Sequence, residues 1–331
     1  MSRKPAAPRL TAEALKALRL AAKCHKTQVF LVGGALRDLL LARPVRDLDL
    51  ACFGAQALAK RLAAAMKGSF VTLDEQSAVY SIALKSSEGL EQIDVAELQG
   101  ADIHEDLKRR DFTLNAMALA LTADLSANVA LKSFIDPRGG AADLAARRLR
   151  CEDGQRLKED PLRLLRAFRI AAQLDLTIDT PTLELIASLR HRVRLPAGER
   201  IQAELMILLE QPGASRWLGL MDKVGVLTGL FEELVAARQC AEVYYGPGGV
   251  MKHSLDTAAR ADFLLCHLGR VFPDKARAIE ADIALQAARG LPLRALVMLA
   301  ALLHDVSKAE TAKTVDGRLR FFGHDALGAK R

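Results

Sequence analysis

Strand-like segments are confined to roughly the first 140 residues of this chain and the rest reads as helix, an asymmetry that few architectures tolerate. Val29-Phe30-Leu31-Val32 is a short buried-strand pattern closed by Gly33-Gly34, and Asp47 to Cys52 alternates as a second strand. Ser69–Leu73, Val79–Leu84 and Gln92–Leu98 are further strand candidates, while residues 10–24, Ala35–Leu41 and Ala55–Met66 carry helical spacing, the first with Thr11 as its N-cap. Beyond Asp143, Pro and Gly become sparse punctuation between Leu/Ala/Arg helices predicted over 159–174, 181–193, 199–210, 214–227, 253–268 and 293–306. The expectation is an α+β chain. A head with a small mixed sheet occupies residues 1–150, a helical neck and body 151–245, and a further helical segment 246–331. The clearest linker is Tyr244-Tyr245-Gly246-Pro247-Gly248-Gly249. The ending at Lys330-Arg331, just after a helical start, is abrupt and predicts that the natural protein continues.

Composition narrows the function classes. Aromatic residues make up only 5% of the 331 positions, which favours helices with one modest sheet. The net charge of +7 and pI near 9.2 suit a polyanionic partner. Five scattered cysteines, with no CxxC pair, read as reduced thiols of a cytoplasmic protein. The basic N-terminus lacks the apolar core of a signal peptide. The longest apolar run, Ala295 to Leu303, falls far short of the roughly 20 residues needed to span a bilayer, so no membrane partner is expected.

The stretch from Phe30 to Ala51 carries the chemistry. It reads strand, Gly-Gly, helix, turn, strand. Gly33 and Gly34 let a backbone approach a phosphate, and the following helix start presents unpaired N–H groups. On the second strand Asp47 and Asp49 are two residues apart, so both carboxylates leave one face while Leu48 and Leu50 enter the core. Paired carboxylates repel unless a cation lies between them, and Mg²⁺ takes such hard oxygen ligands together with phosphate. Asp94, in EQIDVAEL, is the candidate third carboxylate if a neighbouring strand brings it alongside. Asp136, before Pro137, suits either a turn cap or a direct role.

These residues lie in collinear motifs. GGALRD followed by RDLDLA resembles the signature of the class II tRNA nucleotidyltransferase and bacterial poly(A) polymerase family. EDLKRRDFTLNA (105–116), IDPRGGAADL (135–144), EDPLRLLRAFR (159–169) and GERIQAEL (198–205) resemble its further motifs in order. The resemblance implies a polymerase-β-like nucleotidyltransferase head. It further implies that Asp47 and Asp49 hold metal, that Gly33, Gly34 and Arg37 receive the triphosphate, and that Arg110 and Asp111 contact the incoming nucleotide, with the carboxylate on the ribose hydroxyl. Glu159, Asp160 and Arg163 are implied as the base-selecting group. Asp160 and Arg163, three apart, are expected to share a helix face. A carboxylate that accepts beside a guanidinium that donates matches the common edge of cytosine and adenine.

Arginines recur at 147–150, 163–169 and 190–200, an expected track for RNA phosphates. His253, His304, Asp305 and His324 resemble the start of an HD-type phosphohydrolase domain with a metal site, although the final Asp of such a site has no evident candidate. The function expected is template-independent addition of C and/or A to the 3′ end of tRNA, of the CCA-adding type, from CTP and ATP with Mg²⁺. A poly(A) polymerase, an A-adding or CC-adding specialist on tRNA or another RNA, and an HD phosphohydrolase are the rivals.

Overall fold

The computed structural model describes residues 10–85, 89–125, 134–284 and 290–331, and the chain divides into two units, Met1–Arg156 and Leu157–Arg331. In the first unit, α1 (Ala12–Cys24) starts where the Thr11 hydroxyl accepts from Ala14 N at 3.1 Å. There follow β1 (Phe30–Val32), α2 (Gly33–Leu40), β2 (Asp47–Cys52), α3 (Ala55–Met66), β3 (Ser69–Asp74), β4 (Val79–Ala83), β5 (Gln92–Glu97), α4 (Ile103–Lys108), β6 (Ala118–Ala120) and α5 (Gly140–Ala145). The expected strands are all present, and β6 is an additional one that escaped the sequence pattern because three apolar residues have no legible period.

The six strands form one sheet in the order β3-β4-β5-β2-β1-β6. Only β2 and β5 run parallel; every other neighbouring pair is antiparallel. This makes β2 central, with a parallel partner on one side and an antiparallel one on the other. Its Leu48 and Leu50 are buried with Ile93 and Val95 of β5 and with the apolar faces of α1, α2 and α3. Burial of that face leaves the opposite face of β2 and β5 to carry polar side chains.

The second unit is helical apart from a small hairpin, Lys313–Val315 with Arg318–Arg320, and strand Thr177–Ile178. Helix α6 (Gly154–Glu159) leads into α7 (Arg163–Leu174), α8 (Thr180–Leu189), α9 (Gly198–Glu210) and α10 (Ala214–Lys223). The short helices α11 (Val226–Leu230), α12 (Glu233–Ala237) and α13 (Glu242–Tyr245) precede α14 (Gly249–Cys266). The described remainder holds α15 (Leu268–Val271), α16 (Ala276–Ala284), α17 (Leu293–Leu303), α18 (Lys308–Thr311) and α19 (His324–Lys330). Helix α7 packs on α9, and α17 packs on both α9 and α14.

Two expected helices are broken by identifiable residues. The one predicted over 159–174 stops at Glu159 and restarts at Arg163, because Pro161 lacks an N–H and disfavours helical backbone at Asp160. The one over 214–227 is divided at Gly225, whose φ is +77°. The expected linker at 244–249 is a packed turn. A Cβ at Gly249 would lie 2.2 Å from the Cys240 carbonyl, so only glycine fits where α14 begins. Among the described residues, no helix is long and apolar enough to cross a membrane.

Candidate active site

Strand register assembles the acidic site. Asp49 of β2 is paired with Asp94 of β5, and Asp47 with Gln92. Residues two apart on a strand share a face, so Asp47, Asp49 and Asp94 emerge together opposite the Leu48, Leu50, Ile93 and Val95 core. Gln92 Nε2 donates to Asp94 Oδ1 at 2.8 Å. Sequence spacing joined Asp47 to Asp49, but Asp94 depended on strand order, and the parallel β2–β5 pairing puts it beside them.

The start of α2 meets this cluster. Asp49 Oδ2 accepts from Gly34 N at 3.0 Å. Gly33 has φ of +65°, and a Cβ there would sit 2.9 Å from Asp49 Oδ2. The two glycines therefore admit an aspartate to the helix's first turn, and the Gly34 N–H is already given to Asp49 rather than left for a ligand. Arg37 lies across the same turn, since a Cβ on Gly34 would meet its guanidinium at 3.3 Å.

Electrostatics separates these carboxylates from ordinary ones. Burial raises the pKa of Asp49, the Asp94 charge raises it further, and Arg110 with the backbone N–H groups of Gly34 and Ala35 offsets part of this. Asp47 is raised by desolvation, then by Glu91, Asp49 and Asp94, with Arg46 opposing. The cluster is short of positive charge. Hard oxygens from three carboxylates on one face, two of them held above the ordinary aspartate pKa by burial and neighbouring charge, fit a divalent cation with oxygen preference.

On the neighbouring segment Arg110 donates to Asp106 Oδ2 from Nε at 3.1 Å and from a terminal nitrogen at 2.9 Å. Arg138 donates to the Arg110 carbonyl at 2.7 Å, which fixes the backbone there. Asp111 is 6% exposed, and its Oδ1 accepts from Phe112 N at 2.8 Å and Asn115 Nδ2 at 3.0 Å. Asp136 proves to be a cap: its two oxygens accept from Gly140 N at 2.7 Å and Ala141 N at 3.0 Å.

The base-selecting candidates belong to the second unit. Glu159 ends α6, Asp160 stands in the break, and Arg163 opens α7. The expected shared helix face of Asp160 and Arg163 is corrected, because Asp160 is outside the helix. Its Oδ1 accepts from Leu162 N at 3.2 Å and its Oδ2 from Arg200 at 2.9 Å. No local spacing in GERIQAEL marks Arg200 as the partner of Asp160, because 40 residues separate the two. The buried Glu204 of the same motif accepts from Arg166 at 3.3 Å and from Arg169, fastening α7 to α9.

Several arginines of the three clusters have acidic partners within the protein. Arg148 and Arg150 both donate to Asp143, which has no exposed surface. Burial raises the Asp143 pKa, but the Thr113 hydroxyl and the two guanidinium groups outweigh it and hold the carboxyl below its ordinary range. Arg166 and Arg169 are taken by Glu204, Arg194 by Glu232 and Arg200 by Asp160.

The four HD-type candidates converge. Asp305 Oδ2 lies 3.4 Å from His253 Nε2 and 3.2 Å from His304 Nε2, and its Oδ1 lies 3.4 Å from His324 Nε2. Lys308 Nζ donates to Asp305 Oδ2 at 2.6 Å and to the Tyr245 hydroxyl at 2.8 Å. Ligand atoms of His253, His304 and Asp305 all fall within 4.8 Å of one another.

Comparison with known proteins places this arrangement. Residues 29–150 match the family described as poly A polymerase head domain, and residues 175–238 match the probable RNA and SrmB-binding site of polymerase A. A CC-adding tRNA nucleotidyltransferase of Geobacter sulfurreducens is 37% identical over 277 residues, covering 82% of this chain and 58% of the relative. A multifunctional CCA protein of Verminephrobacter eiseniae is 32% identical over 317 residues, covering 92% of this chain and 68% of the relative. The chain thus spans somewhat over half the length of the Geobacter relative. A solved tRNA-processing enzyme in an apo form shares the fold with a TM-score of 0.65 at 23% identity, covering 88% of this chain and 69% of that one. By sequence and by architecture, the chain belongs to the class II tRNA nucleotidyltransferase and poly(A) polymerase head family.

Proposed function

We propose that this chain adds C and A to the 3′ end of tRNA without a template, taking them from CTP and ATP. The observation that carries the reading is the junction of Asp47, Asp49 and Asp94 on adjacent strands with the glycine-opened turn of α2. The names of its relatives, a CC-adding tRNA nucleotidyltransferase and a multifunctional CCA protein, support the same chemistry.

In this reaction the RNA's terminal 3′-hydroxyl attacks the α-phosphate and pyrophosphate leaves. Asp47 and Asp49, with Asp94, would hold Mg²⁺, which when bound supplies Lewis-acid activation of the hydroxyl and stabilises charge at the phosphate. Arg37, beside Gly33 and Gly34, receives the triphosphate as a fixed guanidinium. Arg110 and Asp111 contact the nucleotide, the carboxylate reading the ribose hydroxyl. Glu159, Asp160 and Arg163 choose the base, and Arg200 keeps the Asp160 carboxylate in one orientation. Residues 151–245 supply base selection and RNA contact, and residues 246–331 form an HD-type segment.

The decisive experiment uses tRNA transcripts ending before CCA, after C, or after CC, each offered labelled CTP and ATP separately. Ordered, limited incorporation of C and A is expected. Unlimited use of ATP on any RNA would make the chain a poly(A) polymerase, and use of one nucleotide only would make it a CC-adding or A-adding specialist.

A second reading rests on the convergence of His253, His304, Asp305 and His324. Imidazole and carboxylate donors on neighbouring helices suit a transition metal that activates water on a phosphoester. Metal-dependent hydrolysis of a 2′,3′-cyclic phosphate or a phosphomonoester, lost in His304→Ala, is its test.

A further inference from the structure

Between Arg37 and Asp111 lies one side chain that the motifs did not assign. Asn115 Oδ1 accepts from an Arg37 guanidinium nitrogen at 3.0 Å, and Asn115 Nδ2 donates to Asp111 Oδ1 at 3.0 Å. The chemistry fixes which way the amide points. A guanidinium only donates and a carboxylate only accepts, so one carboxamide satisfies both in a single orientation.

Its mounting is rigid. Asn115 ends the single 3₁₀ turn Thr113–Asn115, and its own N–H donates to the Phe112 carbonyl at 3.0 Å. The Thr113 hydroxyl donates to the buried Asp143 at 2.7 Å. Helix α5 presses on the same turn so closely that a Cβ at Gly140 would lie 2.1 Å from the Thr113 carbonyl oxygen. Arg37 is 14% exposed at its side chain and Asp111 is 6% exposed, so neither group has room to sample many orientations. A hydrogen bond to a charged group in such a setting fixes direction as well as contributing energy.

We propose that Asn115 is a positioning residue for sugar selectivity. Its carboxamide aims the Asp111 carboxylate at the ribose and ties it to the arginine that receives the triphosphate. Phosphate binding and ribose recognition are thereby coupled through one amide. The inference rests on the roles proposed above for Arg37 and Asp111, and it adds the group that links them.

Two substitutions separate the two bonds. Asn115→Asp keeps the volume and an acceptor for Arg37, but removes the donor to Asp111 and sets a second carboxylate against it. Asn115→Ala removes both bonds. The measurement is kcat/KM for CTP against dCTP, and for ATP against dATP, on a tRNA transcript lacking its 3′ CCA. Both variants are expected to lower the ribose-over-deoxyribose preference by about tenfold or more, because the lost bond orients the reader of the 2′-hydroxyl. The KM for the deoxynucleotide should stay near the parent value in Asn115→Asp and rise in Asn115→Ala, where Arg37 also loses the Asn115 acceptor. Circular dichroism and melting curves establish that each variant is folded. Thermal shifts by CTP and dCTP give the same preference for a variant too slow to time.

Asp111→Ala is the reference. If the preference is absent in the parent or unchanged in Asp111→Ala, the ribose role of Asp111 is refuted. If it falls in Asp111→Ala but holds in both Asn115 variants, or if those variants slow ribo- and deoxynucleotides equally, the positioning role of Asn115 is overturned.

Discussion

The head and the helical unit each gather metal-type donors, yet they treat the resulting charge in opposite ways. In the head, Asp47, Asp49 and Asp94 share a face; Asp49 and Asp94 make Asp47 harder to ionise and Asp94 does the same to Asp49, with Arg110 and two backbone N–H groups as partial compensation at Asp49. In the helical unit Asp305 has Lys308 at 2.6 Å, and that ammonium is itself held by Tyr245. Burial and the charges of His304 and Lys308 keep His253 below its ordinary pKa, although Asp305 opposes them. One cluster is left electrostatically demanding by its own strands, whereas the other carries its counter-charge on the next helical turn. Under the proposed reading, carboxylates held above their ordinary pKa suit nucleotidyl transfer, because a cation bound there would meet a phosphate.

The largest effect should come from Asp49. Asp49→Ala is expected to lower nucleotide incorporation by about a thousandfold or more while the far-UV spectrum is kept, since both the cation and the α2 contact lose their anchor. Survival of incorporation in Asp49→Ala together with its loss in Asp305→Ala would reverse the ranking of the two clusters.

A smaller effect concerns proton and cation linkage. The raised values of Asp47 and Asp49 mean that the folded protein binds protons more tightly than the unfolded chain does. The stability contributed by this tighter proton binding is fully present below the ordinary aspartate pKa and is lost as pH rises through the raised values. Without divalent ions, Asp49→Asn should therefore raise the melting temperature at pH 8 by roughly 2–4 °C and change it little in acid. In the parent protein Mg²⁺ should stabilise more at pH 8 than at pH 5. An equal Mg²⁺ effect at both pH values would contradict the carboxylate assignment.

The smallest effect sharpens the other side of the comparison. Lys308→Met removes the ammonium from Asp305, so the histidine cluster should take up Mn²⁺ or Ni²⁺ roughly tenfold more tightly in competition with a chromophoric chelator. Unchanged affinity would show that Lys308 does not compete with a cation for Asp305.

Much of the head was legible because its signals are local. The alternation of Asp47-Leu48-Asp49-Leu50 puts two acids on one face whatever the rest of the chain does, and the two glycines that open α2 announce a helix start. The long helices were legible from periodicity, but their breaks at Asp160 and Gly225 come from single residues that leave the apolar period unchanged. The internal partners of the clustered arginines were not legible, because composition counts charges and is blind to a partner such as Glu204, which lies 38 residues from Arg166.

By itself, then, the order of residues determined which side chains each short element presents: the paired acids, the glycine turn, the capping Thr11, the apolar helix stripes. Covalent geometry and a period of two or 3.6 residues suffice for that. Tertiary structure alone decided that β5 lies parallel to β2 and brings Asp94 to Asp49, that Arg200 holds Asp160, and that His253 reaches Asp305. Those meetings depend on which elements bury their apolar faces together, a choice made by packing over the whole unit, where no local spacing records it.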